Sequence, residues 1–340
     1  MAPHISLPLT TGEVTGWRTR SKLAVRGNAR DPQIGLFKSH SHDVVSIPTC
    51  PLHHASINSS YAKIKEAMIR HQIEPYDEHK GSGTLRYLQF AVERKTRNVQ
   101  LTLVVNEKKS CVDEFVKQLY RMGGFHSIWL NFQPFQTNRI FGDEWTHLLG
   151  EEYLWEHLGS VECAFHPACF SQANLALFEI VLNRIGEWTL PNAKILELYA
   201  GIGAIGLNVV SSTNRVTCVE INPFALQCFE LSRQKLSPET RNNISMQVSP
   251  SEDLVDLIAE NRVVIVDPPR KGLDFKVLEV LCNALAGTQL IYLSCGPRSF
   301  QKDAEKLLTY GWRIQNAEAF LFFPGTDHVE VLCTFTKESG

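Results

Sequence analysis

Two rhythms of apolar and polar residues divide the chain. In the first half, residues 85–92 and 99–105 read as strands, with apolar alternation at Val99, Leu101, Leu103 and Val105. The polar ERKTRN between them has the character of a hairpin connection. A short helix follows, ending near Gly123 and Gly124, and 126–132 is a further strand. From Gln172 onward the pattern alternates between helix and strand. LALFEIVLNRI is an amphipathic helix, and KILELY, RVTCVE, RVVIVD and QLIYLS are short apolar runs bounded by turn residues. Helical patterns at 223–235, 252–258, 275–285 and 298–308 lie among them. Such alternation implies a parallel sheet covered on both faces. The final runs, 312–323 and 328–336, have only PGTD between them and predict an antiparallel hairpin that finishes the sheet. The expected fold is therefore α/β. A doubly wound, mostly parallel, Rossmann-like domain occupies 166–340, and a smaller α+β domain occupies 1–165.

A length of 340 residues fits two domains. No apolar run is long enough to span a bilayer, and the first twenty residues form neither a signal peptide nor a convincing transit peptide. Lys and Arg total 34 against 36 for Asp and Glu, so net charge does not advertise a nucleic-acid binder. The distribution is uneven. Arg18, Arg20, Lys22, Arg26, Arg30 and Lys38 face only Glu13 and Asp31 in the first forty residues. Arg86, Arg94, Lys95, Arg97, Lys108 and Lys109 form a second basic stretch. These residues read either as a phosphate-gripping surface or, more simply, as a solvated charged face. Nine cysteines without a Cys-x-x-Cys pair read as reduced thiols inside a cell.

The run KILELY leads into Gly201-x-Gly203-x-x-Gly206, which opens a helix, and Glu220 ends the next strand nineteen residues after Gly201. Glycines allow a tight turn and close approach to a ligand, and the acid can accept hydrogen bonds from ribose hydroxyls. This context indicates a nucleoside-type cofactor. Glu197, in the strand itself, sits more comfortably near a cation than near a pyrophosphate, which tilts the choice toward S-adenosylmethionine. The plainer alternative has it facing solvent or pairing with a lysine.

The fourth strand ends in Val266-Asp267-Pro268-Pro269-Arg270, where open α/β sheets bind ligands. An arginine rather than an aromatic follows the diproline, which disfavours methylation of an exocyclic amine. The next strand ends at Cys295, before Gly296, Pro297 and a helix. A thiol there feels the positive end of the helix dipole, so a lowered pKa is expected. Cys50, Cys111, Cys163, Cys169, Cys218, Cys228, Cys282 and Cys333 take the bland reading of inert buried groups. Methyl transfer to carbon 5 of a uracil needs such a nucleophile, because addition at carbon 6 makes carbon 5 nucleophilic. A base must then remove the carbon 5 proton. Glu330, in the apolar HVEVL, is either on a solvated face or is that base.

FSQAN (170–174), ELYAGIGAIGL, DPPRKGLD, YLSCGPRSFQKD and FFPGTDHVEVL resemble, in order, the signature segments of the RNA uracil-5 methyltransferase family. The resemblance covers most of 165–340 and extends loosely over HDVVSIPTCPLH and SIWLNFQP. It implies that Cys295 is the nucleophile, Glu330 the proton-abstracting base and Asp267 the aspartate beside cofactor and base. It implies further that Gln172, Tyr199, Gly201, Glu220 and, by a looser match, Asp253 bind S-adenosylmethionine, and that Phe170 stacks near the target base. The implied partner is tRNA or rRNA, bound by a monomer, with no membrane and no metal. Family members often begin with a small β-barrel, which this sequence lacks. Many hold an iron–sulfur cluster through four cysteines. Only Cys50 matches one of these, so no cluster is expected, whether the member is cluster-free or its sequence is shortened at the start. Zinc at His40, His42, Cys50, His53 and His54 would require a spacing that fits no usual pattern.

Two other classes stay open on sequence grounds: a nicotinamide-dependent oxidoreductase using the same glycine loop, and a non-catalytic RNA-binding protein with a relic site. The choice between tRNA and rRNA, the uridine concerned and the compartment (cytoplasm, or an organelle such as a plastid or mitochondrion) are not legible.

Overall fold

The alternating residues of the first half and the helix–strand repeats of the second build separate sheets in the computed structural model, which describes residues 7–106, 112–326 and 328–338. The chain divides into two units. An N-terminal unit holds Glu13–Glu156 and His166–Ala173, and the other holds the preceding residues up to Gly12, His157–Phe165 and everything from Asn174 onward. The chain passes between the units at four places, one of them the expected 165/166.

In the N-terminal unit, β2 (Arg20–Asn28), β3 (Asp31–Phe37), β4 (Val44–Ser46), β5 (Leu85–Val92), β6 (Val99–Val105), β7 (Phe125–Phe132) and β8 (Glu144–Gly150) form one sheet in the order β4-β3-β2-β5-β6-β7-β8. The predicted hairpin is β5–β6, with Phe90 opposite Leu101. The helices α1 (Ala55–Arg70) and α2 (Asp113–Arg121) bury Ile57, Ile64, Phe115 and Leu119 with Leu88, Phe90, Leu101, Leu103 and Ile128 of the sheet. The alternation explains this core, since every second residue of β6 joins it. Strands β9 (Leu154–Leu158) and β10 (Val161–Phe165) lie where the chain passes between units.

The second unit is built on β1 (Leu9–Thr11), β11 (Lys194–Leu198), β12 (Arg215–Glu220), β13 (Ile244–Val248), β14 (Val263–Val266), β15 (Gln289–Ser294), β16 (Trp312–Leu321) and β17 (Glu330–Lys337), ordered β1-β16-β17-β15-β14-β11-β12-β13. The run from β15 to β13 is parallel throughout. The predicted hairpin, β16–β17, pairs antiparallel and joins the sheet beside β15. Its tip includes Asp327, outside the described residues. The helices α3 (Leu175–Trp188), α4 (Ala204–Val209) and α5 (Pro223–Arg233) neighbour one another, and so do α7 (Phe275–Cys282) and α8 (Pro297–Thr309); a short α6 (Pro238–Arg241) precedes β13. All four residues of β14 are fully buried, as a central parallel strand requires.

Strand order reverses between β11 and β14, so the loops after them open at the switch point where such sheets bind ligands. The helix expected at 252–258 is instead two 3₁₀ turns, Ser251–Asp253 and Val255–Glu260, because Leu254 leaves helical geometry (φ −118°, ψ 25°).

Gly206 shows how tightly the first helix lies against the sheet. A Cβ there would stand 2.5 Å from Glu197 Oε2 and 2.6 Å from Cys218 Sγ. Gly206→Ala is therefore expected to cost about 1–3 kcal/mol by overpacking, read as a lowered urea midpoint. An unchanged midpoint would contradict this packing.

Candidate active site

The glycine loop turns through three left-handed residues: Tyr199 (φ 60°), Gly201 (φ 55°) and Gly203 (φ 77°). Gly203 is needed twice over, since a Cβ would also meet the Phe229 ring at 2.7 Å. At Gly201 a Cβ would meet nothing within 4 Å, so the apex of the loop faces open space. Glu220 braces that apex from the end of β12. One of its oxygens accepts from Gly201 N–H (2.8 Å) and the other from Asn222 N–H (2.9 Å). The left-handed Tyr199 sends its hydroxyl to the Asp274 carboxylate at 3.2 Å, and burial pushes this phenol's pKa upward. Glu197 neither faces solvent nor pairs with lysine. It is buried and accepts from Gly206 N–H (2.8 Å) and Cys218 S–H (3.1 Å), so it holds the loop rather than offering a charge to a ligand.

The candidate reacting groups lie at the ends of β14, β15 and β17. Ser294 pairs with Val331 in the antiparallel register, so the next step places Cys295 across from Glu330. Adjacent strands lie about 4.8 Å apart, close enough for the two side chains to share one small ligand. Asp267 follows β14, the neighbour of β15 on its other side. Cys295 Sγ lies 3.9 Å from Pro268 O. Two residues of α8 fasten these loops together. Ser299 Oγ donates toward Arg270 O and Gly296 O, both at 2.8 Å. Asp303 accepts from Leu273 N–H and from the Tyr292 hydroxyl, both at 2.9 Å. Ser299 and Asp303 escaped the sequence reading, although both stand in the YLSCGPRSFQKD segment. Their i and i+4 spacing, on one helix face after the thiol, was the available signal.

The electrostatics differ from expectation at the thiol. Burial raises the Cys295 pKa, repulsion from Asp267 and Glu330 adds to it, and nearby Arg270 offsets part. The expected lowering by the helix dipole is therefore overruled in the free protein. Glu330 is 4% exposed, so the solvated-face reading fails. Burial, then repulsion from Asp267, pushes its pKa up to about 8 against the pull of Arg270. Burial alone raises half-buried Asp267 to about 7. Neither carboxylate makes a hydrogen bond or ion pair among the described residues. Glu197, raised to about 8 chiefly by burial, feels both Asp267 and Glu220. The Glu220 carboxylate at the loop apex disfavours a pyrophosphate there and suits a cationic cofactor.

The remaining sequence candidates scatter. Asp253 is exposed in the 3₁₀ turn after β13. Phe170, 70% exposed, and buried Gln172 lie in His166–Ala173 of the N-terminal unit. The basic stretches divide: Lys22, Arg30, Lys38, Lys95 and Arg97 are exposed, while others are held inside the fold. Arg26 pairs with Glu78, Arg94 with Glu156, and buried Arg86 donates to Gln133 O and Phe135 O. Lys108, Lys109 and Cys111 fall outside the described residues. His42 bonds Glu78, His53 bonds Ser21 and His54 caps α1, so these imidazoles do not converge.

A parallel sheet with this switch point and an antiparallel hairpin at its flank is a Rossmann-like fold. The chain belongs to the tRNA (uracil-5-)-methyltransferase family, which it matches over residues 148–338. An uncharacterized RNA methyltransferase of Protochlamydia amoebophila is 43% identical over 97% of this chain and 88% of its own length. Another from Nostoc is 30% identical over 97% of this chain and 72% of its own. The Pyrococcus abyssi tRNA (uracil-54, C5)-methyltransferase, solved with S-adenosyl-L-homocysteine, shares the fold (TM-score 0.81, 24% identity, 97% of this chain and 79% of that one). The chain is accordingly an RNA methyltransferase.

A buried glutamate that gains a proton on folding loses stability as pH rises from its unfolded pKa, near 4.5, toward about 8. Glu330→Gln removes that cost. Its melting temperature should exceed wild type by a margin that widens from pH 5 to pH 8. A margin independent of pH would contradict the raised pKa.

Proposed function

We propose that this protein methylates carbon 5 of a uridine in tRNA or rRNA, with S-adenosylmethionine as methyl donor. The observation that carries the reading is that Cys295 lies close enough to Asp267 and Glu330 to feel both charges, one step beyond the Ser294–Val331 pair that ends the β15–β17 register. Glu220 and partly ionised Asp267, beside the glycine loop, suit the cofactor's cationic groups. Gly201, Tyr199 and Glu220 would hold its nucleoside end, with Asp253, Gln172 and Asp267 as further contacts. The cofactor supplies the methyl group.

The reaction then follows from the chain's own residues. Phe170 stacks on the target base, which has left the helical stack because attack on a ring face requires it. Asp267, held near half-protonation at neutral pH, hydrogen-bonds the polar edge of the ring. Cys295 gives its proton to solvent, and its sulfur, as thiolate, bonds carbon 6. The electrons displaced from the C5–C6 double bond make carbon 5 nucleophilic, and it takes the methyl group. Glu330 removes the carbon 5 proton, the double bond re-forms, and the sulfur leaves. A nicotinamide enzyme would leave Cys295 and Glu330 without roles and would set a pyrophosphate against carboxylates.

RNA carrying 5-fluorouridine tests this sequence, because fluorine cannot leave as a proton. With S-adenosylmethionine, wild type should accumulate a covalent RNA adduct and Cys295→Ser none. Glu330→Gln should trap methylated natural RNA on the protein. No adduct with wild type on any cellular RNA, together with rapid release by Glu330→Gln, would refute the mechanism. Both Cys295 and Glu330 must be unprotonated to act, so kcat/KM should climb with pH through about 8, and a profile already flat at pH 6.5 would contradict it.

A further inference from the structure

Residues 166–173 carry the side chains to which base stacking and cofactor binding are assigned, yet every anchor described for them lies in the N-terminal unit. His166 packs edge-on against Trp129 (centroids 4.6 Å apart). Burial lowers its pKa to about 4, which leaves a neutral ring whose Nδ1 accepts from Ala168 N–H at 3.1 Å. Gln89 of β5 donates to Pro167 O at 2.8 Å. At the far end, Thr19 donates to Ala173 O twice, from N–H (2.9 Å) and from its hydroxyl (3.1 Å). Between these anchors, Arg20 Nε donates to Ser171 Oγ at 3.1 Å, and that hydroxyl in turn points at Gln172 O, 3.5 Å away. The net effect is a short segment fixed at both ends, with Phe170 exposed and Gln172 buried.

We infer that Arg20 is a positioning residue that sets Phe170 and Gln172 through Ser171. The inference rests on the roles proposed above for Phe170 and Gln172. The relay has a chemical logic. The guanidinium is an obligate donor, so Ser171 must accept from it and turn its own hydrogen elsewhere, toward the Gln172 carbonyl. That fixes the peptide plane after Gln172 and hence the direction of its side chain. Lysine at position 20 would keep the charge but not the planar, directed N–H. Burial lowers the Arg20 pKa to about 10, so the group stays charged at neutral pH.

The test uses full-length Ser171→Ala, Arg20→Lys and the double variant. Calorimetry with S-adenosylhomocysteine alone, the KM for total RNA from cells lacking the protein, and melting temperature are measured on each. Loss of one charge-assisted hydrogen bond should weaken S-adenosylhomocysteine binding about tenfold and raise the RNA KM to a similar degree. In Ser171→Ala the melting temperature should stay close to wild type, because that change leaves the Thr19 and Gln89 anchors in place. The double variant should be no worse than Arg20→Lys, since both changes break one relay. Affinity and KM within twofold of wild type in folded Ser171→Ala would overturn the inference, and so would losses that follow melting temperature alone. If Arg20→Lys does not fold, Ser171→Ala decides. A wild type that binds no S-adenosylhomocysteine would refute the proposed function itself, whereas a binding wild type with an unaffected Ser171→Ala refutes only the relay.

Discussion

Two loops that are far apart in sequence must be held edge to edge for this site to exist: the one after β14, carrying Asp267, and the one after β15, carrying Cys295. Hydrogen bonds from α8 hold them. Asp303 accepts from Leu273 N–H and the Tyr292 hydroxyl, and Ser299 donates toward Arg270 O and Gly296 O. Each bond satisfies a polar group that would be costly to bury alone. The glycines of both loops permit this closeness: a Cβ at Gly296 would lie 2.7 Å from Arg270 O, and one at Gly272 the same distance from Asp303 Oδ2. The sheet supplies the other coordinate, because the β15–β17 register sets Glu330 against Cys295.

Within that frame the site carries an unfavourable charge arrangement. Asp267, Glu330 and Cys295 are all harder to ionise than in water, for the shared reason of burial and, for the latter two, repulsion from Asp267, to which Glu330 adds at the thiol. Such a site carries little negative charge at rest, and a nearby cation would favour ionising it. A cationic cofactor lowers the cost of ionising its neighbours, which links cofactor binding to readiness of the thiol and the base.

The helix–strand rhythm after residue 172 was legible because buried parallel strands leave continuous apolar runs such as VVIV between turn residues. Glycine spacing and strand ends then pointed to the glycine loop and the thiol, which the fold sets at strand ends around the switch point. The first half was harder. β2 mixes Arg20, Lys22 and Arg26 into a strand whose charges are partly absorbed by Glu78 and Ser171, so neither its pattern nor its charge reads simply. β13 lies at a sheet edge with only Ile244 buried, and its apolar signal is correspondingly weak. The sign of the Cys295 shift was missed because the dipole is a local feature that sequence displays, whereas burial beside two carboxylates appears only when three strand ends meet.

The most direct measurement of the central claim is nucleoside analysis of RNA incubated with purified protein and isotopically labelled S-adenosylmethionine. The account predicts labelled 5-methyluridine with wild type and none with Cys295→Ser. Label in another nucleoside, no label at all, or equal 5-methyluridine with Cys295→Ser would contradict it.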